Sequence, residues 1–224
     1  MAALTTLSPV DPSRRANHSS IAFMSPDEVR AVLKIARQRR TRDWCMILIA
    51  YRHGLRTEEV CGLKLGDVKD GVLSVQRLKG SLKTDQPLRH HHGDTPLDEI
   101  VALRTWLNER AYDGSDVLFR SRKGGALDRT QFFRIFQAIA KAAGLPASKR
   151  HPRILKYTLA SHLLASNVGL TQVTQILGHR SILSTLRYAR AIDQHMDEIA
   201  KETPARYFEH LGAAHLDRIA QNTW

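Results

Sequence analysis

HPRILKYTLASHLLASNVGLTQVTQILGHRSILSTLRY, residues 151–188, is the stretch whose reading decides the fold. It contains two amphipathic segments parted by the breaker Asn167-Val168-Gly169. Basic side chains stand at its start (Arg153, Lys156) and an imidazole near its end (His179), with Tyr188 nine residues further on. Two helices joined by such a breaker fold back on each other and bring distant polar groups to one point. That point is expected to hold a phosphate, with Tyr188 beside it.

Upstream, Ser25-Pro26-Asp27-Glu28 is a helix start: a capping serine, proline in the first turn, acids after it. Val29, Val32, Leu33 and Ala36 give its apolar stripe. The run Arg37–Arg42 reads either as a solvated helix end or as a backbone contact. Residues 43–52 are apolar nearly all round, which predicts a buried central helix ended by Gly54. A helix follows from Thr57 through Val60, Leu63 and Leu65. Asp70-Gly71 marks a turn before the strand 72–75, and a second strand is expected near Gln86–Arg89, with 77–83 as a polar hairpin tip.

Further on, a helix is expected from Thr95 with Ile100, Leu103 and Leu107 on one face. Another spans 128–143 with Phe132, Phe136, Ile139 and Ala140 inward, and Gly144-Leu145-Pro146 stops it. Residues 189–224 read as helical, with stripes at Ile192, Met196, Ile199 and at Tyr207, Phe208, Leu211. Helix clearly exceeds strand. The expected class is mainly α with a small antiparallel β-sheet, an α+β fold.

The chain has 224 residues, enough for one core, and 34 Lys and Arg against 22 Asp and Glu. The formal charge of +12 favours an anionic polymer as partner. Cys45 and Cys61 lie in apolar surroundings, as core residues of a reducing compartment do. No apolar run reaches the ~18 residues of a membrane span, and the start lacks a secretory h-region. These features predict a cytoplasmic, nucleoid-associated protein. His90-His91-His92 forms a loop cluster without further ligand spacing, so no metal and no cofactor is expected.

A phosphodiester can be cut without metal if a protein oxygen attacks phosphorus. Tyrosine suits this step, provided fixed cations stabilise the non-bridging oxygens and a proton reaches the leaving 5′-oxygen. The candidates are Arg56, Lys79, Arg153, Lys156, His179 and Tyr188. Each alone has an ordinary surface or core reading; their order and setting carry the argument. Gly54-Leu55-Arg56-Thr57-Glu58-Glu59, then Arg77-Leu78-Lys79, then Arg153-Ile154-Leu155-Lys156, then Leu177-Gly178-His179-Arg180, then Tyr188: this series resembles the tyrosine recombinase (phage integrase) family over residues 25–200. The hairpin at 77–88 is similar to that of short members such as the fimbrial phase-variation recombinases.

Residues 1–24, rich in Ser, Thr, Pro and Arg, read as a flexible basic arm, and the resemblance implies a mostly helical catalytic domain with a small sheet at 25–200. A helical tail at 201–224 would pack on a neighbouring subunit. It implies that Tyr188 forms a 3′-phosphotyrosine link, Arg56 grips the scissile phosphate, Lys79 is the general acid, His179 binds a phosphate oxygen and Glu59 supports the site. Double-stranded DNA would be the partner, bound by a dimer or tetramer of the chain, with no membrane involved. Lys83, Arg122, Lys123 and Arg180 are expected to contact DNA. Arg120, Arg129, Arg134, Lys149 and Arg150 add basic surface, most of it ordinary solvated charge.

Two departures stand out. The family has His-x-x-Arg where this chain has Arg153-Ile154-Leu155-Lys156, with His151 two positions early. Lysine offers a point charge where arginine offers a fork. The alternatives are therefore an active recombinase, an impaired or inactive DNA-binding protein of the same fold, and a basic RNA-associated protein that explains charge but not the ordered residues. The second departure is the short segment before the catalytic region. Either the arm with Arg14 and Arg15 replaces a clamping domain, or a partner supplies one, or binding is weak.

Overall fold

The computed structural model describes residues 22–78, 80–110, 114–121, 124–190 and 192. The expectations for 1–21, Lys79, Arg122, Lys123 and the tail after 192 fall outside them.

Helix α1 (Pro26–Arg39) begins where a capping box says it should. The Glu28 N–H donates to Ser25 Oγ (3.2 Å) and the Ser25 N–H to the Glu28 carboxylate (2.7 Å). Its stripe Val29, Val32, Leu33 and Ala36 is buried on α2 (Thr41–Arg52). Helix α2 is covered from Arg42 through Tyr51, and α1, a later helix α4 (Glu99–Glu109) and a helix α6 (Arg153–Ala165) pack round it. A polar string ties the chain's entry to α6. The Met24 N–H donates to Thr158 Oγ1 (2.9 Å), His162 Nε2 donates to Met24 O (2.8 Å), and the Tyr51 hydroxyl donates to His162 Nδ1 (2.8 Å). His162 is thereby fixed as a neutral tautomer, and burial lowers its pKa.

After α2 the chain turns at Gly54 into the short helix α3 (Thr57–Cys61). Strands β1 (Val68–Lys69), β2 (Val72–Val75) and β3 (Thr84–Pro87) form an antiparallel sheet in that order. The β1–β2 turn uses Asp70 (φ 51°) and Gly71 (φ 73°), both left-handed, as a two-residue hairpin requires. Strand β3 starts two residues before the expected Gln86. Its inward residues are Thr84 and Gln86, so it carries little apolar alternation to read.

The expected helix from Thr95 begins instead at Glu99. Residues Thr95–Leu97 make a 3₁₀ turn, and Asp98, accepting from the Val101 N–H (2.9 Å), is the cap. The buried face is Glu99, Ala102 and Leu103, while Leu107 is 39% exposed. A buried Glu99 bonded to His53 Nε2 (2.6 Å) turns the helix in a way that apolar periodicity misses. Helix α5 (Arg129–Ala142) is capped by Asp128 and buries Phe132, Phe136, Ile139 and Ala140 as expected. Helices α6 and α7 (Leu170–Ile176) are parted at Asn167 (φ 59°), and residues 183–190 are helical. The architecture is mainly helical with one three-stranded antiparallel sheet. Cys45 and Cys61 are buried thiols, and burial, with Asp128 and Glu58 nearby, pushes Cys61 up to about 12.

Candidate active site

Two glycines allow the distant segments of the site to meet. A Cβ on Gly54 (φ +57°) would lie 2.7 Å from Leu177 Cδ2, so glycine lets the α2–α3 turn press on the end of α7. A Cβ on Gly178 (φ +66°) would lie 2.7 Å from Leu82 O and 2.9 Å from Arg77 Cγ. The Leu82 N–H donates to Gly178 O (2.9 Å), which docks the hairpin tip on the Leu177-Gly178-His179 turn.

The turn at Gly54 leaves Arg56 at the N-terminus of α3. Its Nη1 donates to Glu59 Oε1 (2.7 Å) and its Nη2 to Ser81 Oγ (3.3 Å). Glu59, with no exposed side-chain surface, also accepts from the Arg56 N–H (2.8 Å), the Leu78 N–H (3.1 Å) and Arg77 Nη1 (3.2 Å). Burial would raise its pKa, but the Arg56 N–H, the Arg77 charge, the Arg56 side chain and the Leu78 N–H outweigh it, so the carboxyl lies below its usual range.

Arg77 is the hub beneath. Besides Glu59 it donates to Thr84 Oγ1 (3.0 Å), Gly54 O (3.0 Å), His53 O (2.8 Å) and Ile176 O (3.1 Å). It thus joins the α2–α3 turn, β3 and the end of α7.

Lys156, 5% exposed, is held quite differently. Its Nζ donates to Leu177 O (3.1 Å), and no carboxylate among the described residues pairs with it. Burial, then Arg77 and Arg56, lowers its pKa to about 7. His179 is also buried, with Nδ1 hydrogen-bonded to Thr185 Oγ1 (2.9 Å), itself bonded to Thr174 (2.9 Å). Burial, followed by Lys156 and Arg56, brings its pKa down to about 4, so the ring is neutral at pH 7.

Beside these lies an open cleft of about 740 Å³ lined by Arg56, Glu58, Arg129, Arg153, Lys156, Tyr157 and Arg187, among others. Five of these side chains are cationic, and Glu58 is the acid, paired with Arg129 at 3.4 Å. The composition of the cleft suits an anion. Tyr188 sits behind its wall with no exposed surface. Its ring stacks on His179 (centroids 6.2 Å, planes 12° apart) and leans on Tyr157 (5.4 Å). Its hydroxyl accepts from Arg187 Nη2 (3.1 Å). Burial raises the phenol pKa, and Arg187 partly offsets this.

The sequence profile of the phage integrase family matches residues 22–195. The chain belongs to that family. It is 33% identical over 174 residues to the type 1 fimbriae regulatory protein FimE of Escherichia coli K12, covering 74% of this chain and 84% of FimE. It is 30% identical to the FimB protein of the same strain, covering 78% of this chain and 86% of FimB. The tyrosine recombinase XerC of Corynebacterium efficiens is 34% identical over 167 residues, 74% of this chain and 51% of XerC. In fold, the chain is similar to the crystal structure of XerA recombinase (TM-score 0.68, 24% identity), covering 86% of this chain and 66% of that one. A lambda integrase dimer bound to a core site gives a TM-score of 0.60 at 21% identity, over 79% of this chain and 50% of that one.

Within this phage integrase domain, Arg56, Arg153 and Lys156 share the cleft, and His179 and Tyr188 stack beside it. Lys83 pairs with Asp85 (3.3 Å) and lines a separate groove with Arg52 and Gln86. Arg180 is exposed next to His179. Lys149 pairs with Glu28 (2.7 Å), and Arg150 Nε donates to Leu145 O (2.6 Å), so both serve the fold. His90 is bonded to Asp98 (3.0 Å) and stacked on His92. Among the described residues no helix is long and apolar enough to cross a membrane.

Sequence reasoning missed Arg77 and Arg187. Arg77 did carry a signal, since Leu73, Val75 and Arg77 continue one inward-facing alternation. Arg187 carried none. Neighbours in sequence point about 100° apart on a helix, so the residue beside Tyr188 is not where a partner is sought.

Proposed function

We propose that this protein is a site-specific DNA recombinase that breaks and rejoins DNA through a covalent bond to Tyr188. The observation that carries the reading is the cation-lined cleft, with one paired acid, abutting a tyrosine stacked on a neutral histidine. The scissile phosphate would lie in the cleft with Arg56 on a non-bridging oxygen and Arg153 and Lys156 alongside. Glu59 holds the Arg56 fork in position. With Nδ1 engaged by Thr185 Oγ1, the neutral His179 ring has Nε2 left to meet a phosphate oxygen, as a donor in the tautomer protonated there.

In the cutting step the Tyr188 oxygen bonds to phosphorus and the bond from phosphorus to the 5′-oxygen breaks. The phenolic proton leaves to water, and the 5′-oxygen takes a proton from Lys79, the general acid. The result is a 3′-phosphotyrosine and a free 5′-hydroxyl; reversal on a new 5′-hydroxyl rejoins the strand. Because Tyr188 is enclosed, the 183–190 helix must shift for its oxygen to enter the cleft. Residues 25–200 form the catalytic domain, duplex DNA is the partner, and two or four copies assemble on it, with the 201–224 tail on a neighbour. Lys83, Arg122, Lys123 and Arg180 contact the duplex, so the protein works at the nucleoid.

Trapping on nicked duplexes taken from the protein's own genomic flanks tests this. Wild type is expected to yield a covalent adduct and Tyr188→Phe none; absence of a wild-type adduct across those flanks counts against cleavage. A second reading is favoured by Lys156 alone: a DNA-binding protein of this fold that no longer cuts. Lys156→Arg separates the two. Strong activation by that substitution marks an impaired enzyme, and a variant that still binds DNA but stays inert marks a binding module.

A further inference from the structure

We propose that Arg187 is a catalytic residue of this site, acting on the Tyr188 oxygen before attack and on the phosphate during it; the inference rests on the recombinase reading above. Three observations converge on it. Its Nη2 donates to Tyr188 Oη at 3.1 Å, so it touches the reacting atom. Its guanidinium carbon lies 5.0 Å from the Tyr188 ring centroid and 6.0 Å from that of Tyr157, held against two aromatic rings. And it lines the cleft with Arg56, Arg153 and Lys156, although Tyr188 itself does not.

The chemistry explains why a guanidinium is needed there. Lys156 stands where α6 would otherwise present a fork, and its Nζ is already turned to Leu177 O. Arg187 has five N–H donors in a planar fork, and among the described residues no carboxylate occupies them. It therefore bridges two partners in turn. With the cleft free it bonds the phenol oxygen and favours the phenolate, opposing the upward push of burial on that hydroxyl. With a phosphate in the cleft, the same fork reaches a non-bridging oxygen as the Tyr188 oxygen bonds to phosphorus and the 5′-oxygen leaves. Arg187 gains and loses no proton; the phenolic proton goes to water as before.

The test has two arms on the full chain. In the first, adduct formation on a nicked duplex is timed with Arg187→Ala and Arg187→Lys at equal occupancy of DNA. Arg187→Ala is expected to slow the step by about 10²–10³-fold, with added ethylguanidinium restoring much of the rate, and Arg187→Lys to remain at least about tenfold slow. Wild-type rates in either variant, or loss of rate that no guanidinium restores, overturns the proposal. The second arm needs no DNA. The Tyr188 Cζ resonance of ¹³C-tyrosine protein, assigned by Tyr188→Phe, is expected to move toward that of a free phenol in Arg187→Gln, and an unmoved resonance overturns the contact. If wild type forms no adduct but the resonance moves, the recombinase reading has failed and the Arg187–Tyr188 pairing has not.

Discussion

Two buried cations lie side by side in this protein, Arg77 and Lys156, and they are treated in opposite ways. Arg77 makes five hydrogen bonds, one of them to a buried carboxylate. Lys156 makes one, to a backbone carbonyl, and faces other cations. Burying a charge costs several kcal/mol unless partners offset it. Arg77 is offset within the fold and so is structure. Lys156 is not, and the fold tolerates that cost beside an open cleft where an anion can supply the missing partner. In the proposed function, the difference separates a residue that builds the site from one that uses it.

Breaking the satisfied cation should have the largest effect. Arg77→Met takes away one of the two guanidinium partners of Glu59 and the side-chain donor to the buried His53 and Gly54 carbonyls, and is expected to destabilise the protein by ~3–5 kcal/mol in urea unfolding. A loss under ~1 kcal/mol would mean the hub is dispensable. The unsatisfied cation should respond with the opposite sign. Lys156→Met is expected to stabilise the DNA-free protein by roughly 1–3 kcal/mol. The pH dependence sharpens the contrast. The Lys156 pKa is about 7 folded against an ordinary lysine value of 10.5, so the unfolded chain binds the extra proton between those values. Its penalty is complete below pH 7 and fades toward pH 10.5; the gain from Lys156→Met must fade over the same window. At subsaturating DNA, where the free protein's titration governs, adduct formation should fall as pH rises through about 7 in wild type and stay flatter in Lys156→Arg.

Smaller effects test the supports. Gly54→Ala forces a left-handed alanine against Leu177 and is expected to cost about 1–2 kcal/mol, with a larger loss of DNA cleavage because Arg56 follows that turn. Ser25→Ala removes the α1 cap, which lies outside the cleft lining. It should cost ~1 kcal/mol and leave cleavage unchanged.

What could be read from the sequence follows the same division. The elements with strong apolar periods, α1, α2, α5, α6 and α7, stood where their stripes placed them. Helix α4 and strand β3 did not, because each buries polar groups: Glu99 on His53, and Thr84 and Gln86 on Arg77 and the α7 end. The ordered candidates Arg56, Arg153, Lys156, His179 and Tyr188 were legible from spacing and resemblance, and they do come together. The partners that give them character were not. The Glu59 to Arg77 bond spans a turn and a hairpin, and the Arg187 contact depends on a side-chain path that no sequence period encodes.

In the proposed function, Lys156 is a buried cation whose missing partner is the bound anion. The most direct measurement of this is the titration of its side chain by ¹³C NMR of the Cε resonance, assigned with Lys156→Met, in the free protein and with a DNA duplex bound. A pKa of about 7 is expected in the free protein, rising when DNA occupies the cleft. An ordinary lysine value in the free protein, unmoved by DNA, would contradict it.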